Sequence, residues 1–555
     1  MSSGNLLLST MILLTVQLGA SELGVIYNYD GDLTYNSFDA ELNRRGIDYL
    51  FDSLTGTPVG TVTYSLASGT EIMNYPSRVA STWGWRKTPD LENEKIAVRV
   101  EKARKLIDSG EDMYRYAAES CRERGMKFIP SLRINDWHFV GAPEKSFLCG
   151  KFALEHLGDY SIGAGGGSSP LAGYPEAKNL PDFARQEVRD FRLAQIAEAL
   201  ERYGDVSDGF ELDFSRSYVF FAAGRAKENA PLLTDFVRRV RELVDAESTK
   251  QGRAFTLIAR VPPTVRSCHF SGIEIEKWVE EKLVDVIVPS LLMTLYNDMP
   301  VEEFVRLAGP SGVRVYAGLY PRSGNWRWPF STASRAENYR RPPVGEADLP
   351  LICGALANYW GQGADGIYAY NFGVPRNADD YAVLRAMGSL HALNGLPKDF
   401  ALTPDYWLES ENTFLPSKAL PCEIESGKPV HFTLPAYEDP RSSRAKLLFR
   451  GFRLGFAGVS PESKMELKLN GITVFKGALS VGGVATSGRP SRQRAHAPAP
   501  EFYWQRVLPA RAVLTGGEEK IELTLVTPDG SPATLCELIL AFRYENSTAY
   551  LYRDE

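Results

Sequence analysis

The length, composition and charge of this chain exclude several classes of protein. Its 555 residues exceed what one hydrophobic core usually serves, so we expect two or three domains. The apolar share of 44% and the charged share of 24% are those of an ordinary globular protein, and the net charge of −7 argues against nucleic acid as the main partner.

An apolar run near the N-terminus predicts a signal peptide. It occupies residues 6–16 and is followed by small residues at Gly19, Ala20 and Ser21. Such a run is too short to span a membrane, so we assign residues 1–20 to a signal peptide cleaved near Ala20 and expect a secreted or periplasmic protein. No Lys or Arg precedes the run, which leaves a misassigned start codon as the alternative. No later stretch is long and apolar enough to cross a membrane, so no membrane partner is expected.

Strand-like and helix-like segments alternate from residue 21 to residue 395. The predicted strands are residues 24–29, 60–66, 127–132, 209–214, 254–260, 284–292, 314–320 and 366–371. Amphipathic helical patterns lie between them, and this series is typical of a (β/α)8 TIM barrel. An open, doubly wound sheet is the alternative, but no glycine-rich phosphate-binding fingerprint follows the first strand. Residues 139–181 form a long insertion that we expect to cover the barrel mouth.

The pattern changes after residue 395, and residues 396–555 are predicted to form an antiparallel β-sandwich. Short strand-like runs at 431–434, 446–452, 464–469, 520–526 and 535–543 are separated by turn residues. Such an accessory domain either braces the barrel or binds a ligand. Bracing is favoured, because no exposed aromatic platform is evident in its sequence.

The cysteines predict neither a metal site nor a dense disulfide framework. Six of them are spread from Cys121 to Cys536, and none forms the close pair that is typical of metal ligands. One or two disulfides remain possible, and neither a metal nor any other cofactor is expected.

The segment from Asp208 to Arg216, DGFELDFSR, is the most informative stretch of the chain. It is typical of a short buried strand, in which alternate side chains face opposite sides. Glu211 and Asp213 therefore face the same way, about 7 Å apart along the strand. Two carboxylates on an inner strand face cost desolvation energy unless a site uses them, so the alternatives are an active site or a structural network held by Arg216.

Polar and aromatic side chains also end most of the other predicted strands. In a parallel barrel these ends meet at one rim, where catalytic and binding residues lie. Sugars need such a mixture, because they carry hydroxyl edges and apolar C–H faces. The candidate substrate-binding residues are Asp30, Arg133, Asn135, Trp137, His138, Arg216, Arg260, Tyr296, Tyr320, Tyr370 and Asn371.

The segments SLRINDWH and DGFELDFSR, on a barrel followed by a β-sandwich, resemble those of the glycoside-hydrolase-like TIM-barrel proteins of bacterial polysaccharide degraders. The resemblance covers most of residues 24–395 and implies a secreted enzyme that acts on a polysaccharide or oligosaccharide. Glu211 would match the acid/base on the fourth strand of one large retaining group, but that group's nucleophilic Glu on the seventh strand has no counterpart in residues 315–321. In the α-glycosidase-like barrels, the nucleophile on the fourth strand would match Asp213, with Asp298 as a candidate acid/base.

We therefore expect hydrolysis by paired carboxylates. Repulsion between Glu211 and Asp213 would raise one pKa and suit Glu211 to be the protonated general acid, while Arg216 or Arg260 would keep the other group ionised. Neighbours on one strand face seldom flank a substrate from both sides, so the second carboxylate is expected from another strand end. Asp136 and Asp30 are as eligible for this role as Asp298. The candidate catalytic residues are Glu211, Asp213, Asp136 and Asp298.

Two other functions stay open at this point. A non-catalytic glycan-binding barrel would account for the missing acid on the seventh strand. A polysaccharide lyase would use His138 and Tyr296 as base and acid. In either case, four arginines near the rim suggest an anionic glycan, either sulfated or uronic: Arg133, Arg216, Arg260 and Arg322.

Overall fold

The computed structural model describes most of the two predicted domains. The described residues are 23–30, 44–69, 71–136, 140–170, 175–292, 295–309, 311–320, 349–372, 374–375, 378–403, 419–438, 445–485, 500–509 and 512–545. The predicted signal peptide lies outside them. Of the helices within these ranges, none has the length and apolar character needed to cross a bilayer.

Eight parallel strands close into a barrel, as the alternating pattern predicts. The described strands before residue 370 are β1 (Val25–Tyr29), β2 (Val59–Ser65), β3 (Ala67–Ser68), β4 (Ile72–Met73), β5 (Lys127–Arg133), β6 (Gly209–Asp213), β7 (Thr256–Val261), β8 (Val286–Pro289), β9 (Arg314–Leu319) and β10 (Gly366–Ala369). The ring runs β1-β10-β9-β8-β7-β6-β5-β2, while β3 and β4 form a separate two-stranded ribbon. The (β/α)8 prediction is therefore confirmed.

Helices connect the strands around the outside of the ring. Those described are α1 (Arg44–Leu54), α2 (Glu94–Asp108), α3 (Met113–Glu123), α4 (Lys151–Glu155), α5 (Gln186–Tyr203), α6 (Ala226–Gln251), α7 (Val265–Ser271), α8 (Ile275–Glu280), α9 (Val301–Ala308), α10 (Leu349–Gly361) and α11 (Ala378–Met387). Several begin with side-chain caps, such as α3, where Asp112 accepts hydrogen bonds from the first-turn amides.

Strand alternation divides the apolar side chains into an outer and an inner set. Phe210 and Leu212 of β6 belong to the large cluster between strands and helices. Ile129, Ile258 and Tyr316 belong to a second cluster that fills the barrel. The Tyr316 ring lies so close to Gly366 that a Cβ there would be 2.3 Å from it, so β10 needs glycine at this point. The barrel floor is thus apolar, and polar groups are left for its upper end.

The insertion after β5 packs into the mouth of the barrel. Its two ends are joined, because Asn179 Nδ2 donates to Val140 O at 2.6 Å. Ile162 and Leu180 are buried in the same cluster as the inner barrel residues, together with Val140 and Ala177. The prediction of a long covering loop therefore needs one addition: the segment contains α4 and supplies apolar groups that pack over the interior.

Two antiparallel sheets follow the barrel and form the predicted sandwich. Their strands are β11 (Lys398–Ala401), β12 (Cys422–Ile424), β13 (Pro429–Pro435), β14 (Leu447–Ala457), β15 (Lys464–Leu469), β16 (Ile472–Ala478), β17 (Gly483–Ala485), β18 (Phe502–Val507), β19 (Glu518–Val526) and β20 (Ala533–Tyr544). One sheet has the order β11-β20-β14-β18-β17 with β12 also on β20, and the other β13-β19-β15-β16. Burial alternates along β15 and β19, as expected for sheets with one face on the core.

Asn297, in the loop after β8, joins the barrel to the sandwich. Its Nδ2 donates to Leu351 O and to Asp399 O, each at 2.9 Å, and its Oδ1 accepts from Ala401 N at 3.0 Å. The side chain is buried, so each of these contacts replaces a hydrogen bond to water. This loop therefore faces the accessory domain.

Candidate active site

Glu211 lies completely buried in the interior of the barrel. Its Oε1 accepts a hydrogen bond from Ser131 Oγ at 2.5 Å and another from Tyr368 OH at 3.0 Å. Its Oε2 is buried and has no hydrogen-bond partner among the described residues. Burial, followed by the nearby charge of Asp213, raises the pKa of Glu211 to about 7. The group can therefore be protonated at neutral pH and still give up its proton.

Asp213 faces the same interior but is held in a different way. Arg260 binds it through two hydrogen bonds, from Nε to Oδ1 at 3.0 Å and from Nη2 to Oδ2 at 2.9 Å. Ser215 N also donates to Oδ1 at 2.9 Å. Both carboxylate oxygens therefore accept hydrogen bonds from cationic or amide donors. Asp213 is thus a fixed negative charge beside Glu211.

Arg260 is the buried cation at the centre of the rim. It is fully enclosed, and its third donor, Nη1, reaches Ser290 Oγ at 3.2 Å. The guanidinium carbon lies 3.7 Å from the centroid of the Tyr370 ring, a cation–π contact. Tyr370 OH in turn accepts from Arg216 Nη1 at 2.5 Å. Tyr370 also packs near Tyr320, with ring centroids 5.8 Å apart.

A second ion-pair group joins the ends of β1 and β5. Arg133 contacts Asp30 Oδ2 at 2.7 Å and Asp136 Oδ2 at 3.0 Å. Burial opposes the ionisation of Asp30, but nearby arginines, with Arg133 first among them, outweigh it and hold the pKa of Asp30 below its ordinary value. The Asp30 side chain is 11% exposed, against 2% for Asp136. Asp30 is therefore an ionised carboxylate with some access to the mouth.

Asn135 supports a loop beside this group. Its Nδ2 donates to Val219 O at 2.6 Å and more weakly to Pro181 O at 3.4 Å. These acceptors belong to the segment after β6 and to the end of the insertion. Asn135 therefore holds the insertion in place over the barrel mouth. This contact accounts for its amide nitrogen without a substrate.

Asp298 and Tyr296 are not brought to the cluster around Glu211. Asp298 Oδ1 accepts from Thr403 N at 2.9 Å, next to the first strand of the sandwich. Burial raises its pKa to about 6. Tyr296 accepts a hydrogen bond on its carbonyl from Tyr359 OH at 2.6 Å. Both residues follow β8, but this loop turns outwards to α10 and β11.

Asn371 is the last of the predicted binding residues in the described part of the chain. Asn371 directly follows Tyr370, is partly exposed and has a positive φ of 49°, a conformation that asparagine tolerates better than most residues. Trp137, His138 and Arg322 lie outside the described residues.

Four residues in the hydrogen-bond network of the candidate site were not predicted from the sequence: Ser131, Tyr368, Tyr218 and Ser290. The first two lie two positions before Arg133 and Tyr370 along the chain, so strand alternation could have placed them on the same inner face. Tyr218 donates to Ser290 O at 3.1 Å and accepts from Leu292 N at 2.7 Å. No spacing rule indicates that contact, because it joins the loop after β6 to the end of β8.

The assembled site offers one neutral acid and several fixed charges. Glu211 can donate a proton from Oε2, Asp30 is held ionised by nearby arginines, and Asp213 is paired with Arg260. Within the described part of the chain, no group of three or more His, Cys, Asp or Glu side chains is arranged to hold a metal ion. Glu211, Asp30 and Asp213 together can supply proton transfer and electrostatic stabilisation.

Comparison with known protein families and with curated proteins gave no match. Solved structures do match: a chitinase from Paenibacillus sp. str. FPU-7 is 12% identical, over 93% of this chain and 56% of that one, with a TM-score of 0.39. An alpha-L-fucosidase from Paenibacillus thiaminolyticus is 14% identical, over 90% and 96%, with a TM-score of 0.34.

The chain spans little more than half of the first two matched structures, namely 56% of the chitinase and 57% of a cycloisomaltooligosaccharide glucanotransferase from Paenibacillus sp.. The glucanotransferase is 10% identical, over 93% of this chain, with a TM-score of 0.33. These matched structures are carbohydrate-active enzymes, but similarity this low transfers no residue role to this chain.

Proposed function

We propose that this protein hydrolyses glycosidic bonds, with Glu211 as the general acid. The observation that carries the proposal is the state of its carboxyl group. It is buried in the interior of the barrel, its pKa is raised to about 7, and its Oε2 has no partner among the described residues. A general acid works best when its pKa lies near the working pH. Burying an acid in this state is costly for a purely structural residue, because a leucine or glutamine would fill the space more cheaply.

Asp30 is the second carboxylate that we propose for catalysis. It follows β1, which lies three strands from β6 around the ring, so the two groups approach the interior from different sides. Arg133 keeps it ionised, and it is the more exposed of that arginine's two acidic partners. Asp213 is a poorer nucleophile, because Arg260 and Ser215 already occupy its oxygens. Its proposed role is to raise the pKa of Glu211.

In this scheme Glu211 donates its Oε2 proton to the glycosidic oxygen as the bond to the anomeric carbon breaks. Asp30 stabilises the positive charge that develops on the sugar ring. A water molecule then adds to the anomeric carbon, which supplies the hydroxyl group of the new reducing end and returns a proton to Glu211. The substrate we propose is an uncharged glycan. Arg133, Arg216 and Arg260 already contact carboxylates or Tyr370, so they offer less to a sulfate or uronate than isolated arginines would.

The test is the release of reducing ends from a panel of neutral and anionic polysaccharides by the wild-type protein and Glu211→Gln. We expect wild-type cleavage of a neutral glycan and a loss of about 10²–10⁴-fold in the variant, the usual contribution of a general acid. Glu198→Gln is the matched control, since Glu198 is also buried but binds Tyr75, Ser77 and Arg78 outside the barrel.

Three results would contradict the proposal. Turnover by Glu211→Gln close to wild type would remove Glu211 from the acid role. A new ultraviolet-absorbing, unsaturated end would indicate a lyase. Glycan binding without cleavage, equal in both proteins, would indicate a non-catalytic glycan-binding barrel, which the lack of a carboxylate on β9 favours.

A further inference from the structure

Two hydrogen bonds converge on one oxygen of Glu211 and leave the other oxygen open. Ser131 on β5, the strand next to β6, and Tyr368 on β10, which lies across the ring, both donate to Oε1. A neutral carboxyl group has one carbonyl oxygen that accepts and one hydroxyl oxygen that donates. With two donors on Oε1, that atom is the carbonyl oxygen of the protonated group. The hydroxyl is then Oε2.

The Tyr368 hydrogen bond is directed by a chain of donors across the barrel. Asn28 Nδ2 lies 3.4 Å from Thr63 Oγ1, and Thr63 Oγ1 lies 3.2 Å from Tyr368 OH. The single phenolic proton is given to Glu211, so Thr63 must be the donor to Tyr368. Burial raises the pKa of Tyr368 well above its ordinary value, so the phenol keeps its proton at neutral pH. Donor chains of this kind polarise one another towards the final acceptor.

We propose that Ser131 and Tyr368 are positioning residues that assign the acidic proton of Glu211 to Oε2. This rests on the proposed function, in which that proton is passed to the substrate. Neither residue touches the substrate in the scheme; both act through Glu211. The groups that set its charge are Asp213 on the same strand, Arg260 on β7 and Tyr368 itself on β10. Ser131 and Tyr368 stabilise the ionised form and so counteract part of the effect of burial.

The direct test is a titration that needs no substrate. Carbon-13 in the glutamate side chains gives a carboxyl signal for Glu211, which Glu211→Gln identifies by its disappearance. Glu71→Gln identifies a second buried glutamate whose pKa is also raised to about 7, by burial first of all. In Ser131→Ala and in Tyr368→Phe we expect the midpoint of Glu211 to move upwards by about one pH unit, the size of a hydrogen bond to a charged group. Ser131→Ala should show the larger shift, because its bond has the larger effect.

Two further variants sharpen the comparison. Thr63→Val preserves the shape of the side chain but removes the donor to Tyr368, so a smaller upward shift is expected. Tyr359→Phe is the matched control, because Tyr359 is as buried as Tyr368 but donates to Tyr296 O outside the barrel. It should leave the Glu211 midpoint unchanged. If Tyr368→Phe fails to fold, Ser131→Ala and Thr63→Val carry the same test with smaller changes in volume.

An unchanged or lowered midpoint in both Ser131→Ala and Tyr368→Phe overturns the inference. The titration also separates it from the proposed function. A shifted midpoint in a protein that cleaves no glycan means that the network stands and the hydrolase proposal fails. If the midpoint does not shift but Glu211→Gln abolishes turnover, the hydrolase proposal stands and the inference about the network fails. In an active protein, the alkaline limb of kcat/KM should move upwards with the midpoint, which a general loss of folding would not produce.

Discussion

Replacing Glu211 by glutamine should change how the stability of the barrel depends on pH. The pKa of Glu211 is raised from 4.5 to about 7, so the folded protein holds a proton that the unfolded chain releases between these values. The free energy of unfolding therefore falls as pH rises from about 4.5 to 7 and levels off above that range. A difference of about 2.5 pKa units corresponds to roughly 3 kcal/mol for a group that is fully buried.

Glutamine cannot ionise, so Glu211→Gln lacks this part of the pH dependence. Relative to wild type, we expect the variant to gain on the order of 3 kcal/mol in unfolding free energy between pH 4.5 and pH 8. The slopes from Glu71 and Asp298, whose pKa values are raised by burial to about 7 and about 6, are present in both proteins and cancel in the difference. A variant that gains stability relative to wild type as the acid would ionise fits a site in which stability is given up for function.

The measurement is urea unfolding of both proteins at several pH values, followed by tryptophan fluorescence. Trp278 packs against Phe214, with ring centroids 5.3 Å apart, and so reports on the strand that holds the acids. Glu101→Gln makes the same chemical change on the exposed face of α2 and should leave the slope between pH 5 and 8 as it is. A difference between wild type and Glu211→Gln that stays constant from pH 4.5 to 8, or that grows in favour of wild type, would refute the reasoning.

Two other substitutions test the charges and the contact between domains. Asp213→Asn should lower the unfolding free energy by about 3–5 kcal/mol, because it leaves the fully buried guanidinium of Arg260 without its carboxylate. Adding Arg260→Met to it should restore part of this loss in a double-mutant cycle, and an additive loss would contradict the pairing. Asn297→Ala should lower stability by about 3 kcal/mol or more, since it leaves buried groups of β11 such as Ala401 N without a partner. Limited proteolysis should then cut between barrel and sandwich, and unchanged protection would count against a bracing role for Asn297.

Local patterns in the sequence were sufficient to predict the architecture. Alternation of strand and helix periods predicted the barrel, and short strands with turn residues predicted the sandwich. The same period of two placed Glu211 and Asp213 on one face of β6, and both side chains do lie in the interior. These features depend on neighbours within a few residues, where side-chain direction follows from backbone geometry alone.

The partners of the acids were decided by the closed barrel. Arg216 and Arg260 were equally eligible to hold Asp213, yet Arg260 does so, because β7 pairs with β6 in a register that sets these two residues side by side. Asp298 seemed as eligible as Asp30, but its loop turns towards the sandwich. Tyr368 donates to Glu211 although the two residues are 157 positions apart in the chain. Strand periodicity tells which way a side chain points; only the closure and stagger of the ring decide which side chains then meet.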